Sequence, residues 1–209
     1  MKKYFIAVFI TIFLFLTAMN YPSAWAFFSV SLIFIAKALV PRFSSANAKV
    51  RFSIIFASGM CVEFFCWLGA YISQEKNPPL FHPLLGPDLI TAFGFYLGLA
   101  FAWTIIERRW GLRYKDIFII GLIFSVCIEQ LGAILITFNP ILYVYVFVVY
   151  ISMVLPGFII VPPVNKGVPI WKRYVLGLLL LAFCVFAGSF LSTFPFTHVI
   201  PEKPMAAGF

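Results

Sequence analysis

Apolar residues run almost unbroken along this chain, and polar breaks interrupt them at intervals that fit membrane helices. Seven stretches stand out, at 4–19, 24–40, 52–72, 89–107, 117–138, 141–161 and 174–193. A helix rising 1.5 Å per residue needs about 20 apolar residues to cross a hydrocarbon core. In lipid, a backbone satisfies its own polar groups only as a helix or a closed barrel. These stretches lack the apolar–polar alternation of barrel strands. The pattern therefore predicts an all-α bundle of seven transmembrane spans. Asn20-Tyr21-Pro22-Ser23 and Asn139-Pro140 read as tight turns between neighbouring spans, because proline lacks the amide that a continuing helix needs. The spans occupy 1–209 as a single integral membrane domain, and no loop is long enough for a catalytic domain outside the bilayer.

Composition agrees. The chain is 63% hydrophobic and 11% charged, against about 45–50% and about 25% in soluble domains. Its net charge of +8 lies at span ends and not in a patch, so the bilayer is the expected partner and nucleic acid is not. With Lys2 and Lys3 inside, threading seven spans puts Lys37, Arg42, Lys49, Arg51, Arg108, Arg109, Arg113, Lys115, Lys166, Lys172 and Arg173 on the same face. Only Lys76 and Lys203 fall on the other, which is thirteen basic residues against two. The positive-inside rule then predicts a cytoplasmic N-terminus and an outside C-terminus. The expected location is a plasma (inner) membrane. Residues 1–26 also carry the marks of a secretory signal: a basic start, an apolar middle and Ala24-Trp25-Ala26. Apolar character resumes at Phe27-Phe28, so the segment is expected to stay as a span; cleavage would leave six.

Two acids fall deep inside predicted spans, Glu63 in the third and Glu129 in the fifth. Each costs about 2.5–3.5 kcal/mol at a helix centre, so a partner, a wet cavity or a bound proton must offset it. Glu63 follows Arg51 by 12 residues and Glu129 follows Lys115 by 14, which places both carboxylates at similar depth, within about 3 Å. Small residues beside them, Gly59 for Glu63 and Ser125, Gly132 and Ala133 for Glu129, point both faces into the bundle. If the two meet, one keeps its proton. Glu63 and Glu129 are thus the candidate catalytic residues. Three readings follow: acid–base chemistry on a lipophilic, isoprenoid-like molecule, a proton- or cation-coupled carrier, or an accessory subunit of a membrane complex in which the acids only brace the bundle. The sequence does not decide whether the protein is an enzyme.

Other residues narrow this little. Cys61, Cys66, Cys127 and Cys184 form no CxxC and read as small packing residues. No cofactor or metal is expected, and the last span has no lysine for a retinal Schiff base of the microbial-rhodopsin kind. Gly94, Gly98 and Ala102 make a small-residue stripe for close helix approach, either within the chain or in a homodimer or other membrane-protein contact. The proline-rich loop 73–88 is expected to lie at the interface or fold back over the bundle, with Asp88 capping the fourth helix and His82 solvated.

Overall fold

The computed structural model describes residues 30–39, 47–74, 81–129 and 140–194. Helices there run α1 Val30–Leu39, α2 Ala48–Ser73, α3 Leu85–Trp110, α4 Tyr114–Ile123, α5 Pro140–Ile160 and α6 Gly177–Thr193. A π-helical segment, Phe124–Glu129, extends α4, and another, Lys172–Leu176, leads into α6. Among the described residues there is no strand. Four helices are long and apolar enough to cross a membrane: Ala48–Ile72, Leu85–Trp110, Leu142–Ile160 and Lys172–Thr193. They coincide with the third, fourth, sixth and seventh predicted spans. The first span lies outside the described residues, and the second and fifth lie partly outside them.

Side chains such as Phe93, Phe101, Phe183, Phe190 and Leu191 project outward from the bundle. Such an apolar exterior would aggregate in water, and lipid is the solvent that suits it. These are the features of an integral membrane protein.

Helix ends overshoot the apolar stretches for a physical reason. Hydropathy marks only the part of a helix that sits in hydrocarbon, whereas the helix itself continues to its caps. The Asn47 side chain accepts from the Lys49 and Val50 amides, starting α2 four residues ahead of its apolar stretch. At 26 residues, α2 and α3 are each about 39 Å long. Helix α5 begins on Pro140, where the missing amide is harmless.

The helices alternate in direction, and their basic ends meet. Arg51, near the start of α2, pairs with Glu107 at the end of α3. Its guanidinium also donates to the carbonyls of Val161 and Pro162, just past α5, at 3.1 and 3.3 Å, and lies 5.0 Å from the Phe158 ring centroid. Glu107 Oε1 accepts from the Val164 amide at 3.2 Å. A second knot ties α4 to α6. Asp116, fully buried, pairs with Arg173, accepts from Tyr174 Oη at 2.9 Å, and accepts from the Arg113 amide at 2.9 Å. Charges that would be ruinous alone are thus matched and hydrogen-bonded at one end of the bundle.

The glycine stripe finds its partner inside the chain. A Cβ added to Gly98 would collide with the Cys184 carbonyl on α6, and one added to Gly94 with the Gly188 carbonyl. Gly94, Gly98 and Ala102 are all buried. The stripe therefore joins α3 to α6, the intramolecular alternative of the two. Of the cysteines, Cys184 is buried and Cys66 half-buried as packing residues, whereas Cys61 and Cys127 are exposed on the bundle's outside.

Candidate functional site: an acid cluster beside an aromatic cavity

Glu63 owes its position to a gap. Gly59 lies one turn earlier on α2, and the Tyr96 ring rests directly over it, where any Cβ would collide. That clearance lets the Tyr96 hydroxyl reach Glu63 and donate to Oε2 at 2.5 Å. Glu63 is buried, at 6% exposure, so the small residue beside the acid did mark an inward face.

The second acid of the cluster comes from α3. Asp88 lies in the first turn of that helix and is fully buried. It does not cap the helix, contrary to the sequence expectation: Leu84 holds the N-cap position with no side-chain bond. Asp88 instead reaches back, its Oδ1 accepting from the His82 amide at 2.9 Å. Among the described residues no donor bonds its Oδ2. The Asp88 carboxyl is a neighbour of Glu63.

Segment 81–84 closes the cluster from the end opposite the ion pairs. His82 is 3% exposed, which corrects its reading as a solvated loop histidine. Its Nδ1 accepts from the Leu84 amide at 3.0 Å, so the proton of the neutral ring resides on Nε2. The Trp67 indole donates to the Pro83 carbonyl at 3.0 Å, and the Phe81 ring stands 5.7 Å from Phe95. The described end of the proline-rich loop thus folds back over the bundle, as its apolar residues suggested.

Beside the cluster is a cavity of about 450 Å³, walled by α2, α3, α5, α6 and Phe81. Glu63 opens onto it, with Tyr96, Tyr145, Tyr150, Phe95 and Phe186 around. This volume is in the range of small-molecule sites. Among the described residues no three His, Cys, Asp or Glu side chains gather as metal ligands.

No family model matches the sequence, and neither a curated protein nor a solved structure matches it.

Glu129 is the last residue of the π segment that extends α4, and its side chain lies outside the described part. Ser125, four residues earlier, is fully buried. The acid brought to Glu63 among the described side chains is Asp88. Sequence reasoning placed Asp88 at a helix start, where an acid needs no further explanation, and so missed it. The signal that was present is its position six residues after His82 in a loop whose apolar residues had to fold inward.

Proposed function

We propose that this is a polytopic membrane protein in which Glu63 takes up and releases a proton against a lipophilic molecule held in the aromatic cavity. The observation that carries the reading is a buried carboxyl that both lines the cavity and neighbours a second acid. Two neighbouring buried carboxyls do not readily both ionise, so the pair can hold one proton. The pair is then an acid and a base at once, needing neither metal nor cofactor to move a proton. A purely bracing role would favour a tightly filled interior, and the cavity argues against it. Glu129, on the segment that extends α4, is kept in the proposal as a further proton-bearing residue. With the α3 stripe packed on α6, an accessory-subunit reading would rest on other outward faces of the bundle.

Seven spans complete the proposed topology, with the N-terminus and the basic end in the cytoplasm and the C-terminus outside a plasma membrane. The alternating helices that bring Arg51, Arg113, Lys166 and Arg173 to one end support it.

The test is Glu63→Gln and Glu129→Gln, which keep shape and remove the ionisable group. In proteoliposomes and in a lipid-extract turnover assay, Glu63→Gln should abolish pH-dependent flux or conversion while folded yield stays at the wild-type level. Normal activity of both variants in both assays would show that the acids only brace the bundle.

A further inference from the structure

We infer that the molecule taken by this cavity is a lipophilic organic cation, an amine or a quaternary ammonium, seated against Glu63 in exchange for a proton. The inference rests on the proposed proton handling by Glu63 and adds the charge of its client.

Three observations on the cavity converge. Its wall carries an acid, Glu63, with Asp88 behind it, and among the described lining residues there is no Lys, Arg or His. Six aromatic rings, Phe81, Phe95, Tyr96, Tyr145, Tyr150 and Phe186, surround the same space. Ring faces attract ammonium groups, most strongly where water is excluded. The paired cations lie elsewhere: Arg51 is 12 residues before Glu63 on α2, about 18 Å along the helix, and is held by Glu107.

Acids and hydroxyls predominate around Glu63, and His82 lies behind them against Asp88, off the cavity lining. From α3 come Asp88 and the donating Tyr96 hydroxyl, and from segment 81–84 comes His82, whose Nδ1 is already an acceptor. From α5 come Tyr145 and Tyr150, from α6 Ser189, and from its own helix Cys66. A lipophilic anion would be repelled by the acids. A neutral polyene would fill the volume and leave the acids their proton. A lipophilic cation fills the volume, meets the rings, and replaces the proton held by the acids. The exchange balances: one cation enters, one proton leaves, and the net charge of the site is unchanged.

The probe is tetraphenylphosphonium, a cation without exchangeable protons, tested on the full chain in detergent micelles. Its control is tetraphenylborate, of like shape and opposite charge. The cation should bind saturably and release about one proton per molecule in weakly buffered solution, with affinity rising about tenfold per pH unit while the proton is displaced. Glu63→Gln should lose both binding and proton release, and tetraphenylborate should show only micelle partition. Equal binding of the two ions, or cation binding unchanged in Glu63→Gln, overturns the inference. Infrared difference spectra separate its failure from that of the underlying reading. If the cation does not bind but a Glu63-dependent carboxyl band still titrates, the client's charge is wrong and proton handling stands. If no carboxyl band depends on Glu63, both fall.

Discussion

Replacing Glu107 by alanine strands a guanidinium inside the bundle. The Arg51 and Glu107 side chains are 3% and 8% exposed, so water does not screen the loss. In Glu107→Ala, Arg51 keeps two carbonyl acceptors and the Phe158 ring but no counter-charge, and the Val164 amide loses its acceptor as well. Removing one partner of a buried pair costs about 3–5 kcal/mol, whereas replacing both by apolar groups of similar volume is often neutral or stabilising. Arg51→Met with Glu107→Leu should therefore recover most of what either single change loses. For a chain of this size about 2–4 °C accompanies each kcal/mol, so Glu107→Ala should lower Tm by roughly 6–20 °C. Reversible unfolding in mixed micelles gives the free energies, and a double-mutant cycle isolates the pairing. A loss below about 1 kcal/mol in Glu107→Ala, or a double variant as unstable as the sum of the singles, would refute the reasoning.

Gly98→Leu should part α3 from α6, because the new side chain has only the Cys184 carbonyl to occupy; the expected readout is loss of folded protein by size-exclusion chromatography, and a folded variant with a wild-type elution volume would contradict the contact. In a cysteine-free background, Leu84→Cys and Ile170→Cys place thiols at exposed positions on opposite ends. An impermeant maleimide applied to intact cells should label the first and spare the second, and the reverse pattern would invert the proposed orientation.

Hydropathy made the four long spans legible because burial in lipid is a property of consecutive residues. The same reasoning found Glu63, since an acid flanked by Gly59 on an apolar helix has nowhere to go but inward. What escaped was pairing at long range. Arg51 and Glu107 lie 56 positions apart, and Asp116 and Arg173 lie 57 apart. Each basic residue sat where the positive-inside rule already explained it, which hid its second role as one half of a buried bond. Asp88 and His82 were missed likewise, because a loop followed by a helix start accounts for both residue types without a contact. Pattern tells which residues share a depth; only the crossing of helices decides which of them touch.

The ion pairs of Arg51, Arg113 and Arg173 lie at the basic end, while the opposite half carries the hydrogen bonds of Glu63 and Asp88 among rings and close-packed backbone. Directional charged bonds resist sliding, and dispersion contacts yield to it. Formal charge pairing is thus concentrated at one foot of the bundle. Glu63 stands about 18 Å along α2 from Arg51, so a tilt of α2 by about 5° about that end would swing it by about 1.5 Å. A movement that small is enough to detach the carboxyl from the Tyr96 hydroxyl while leaving the anchored ends in place.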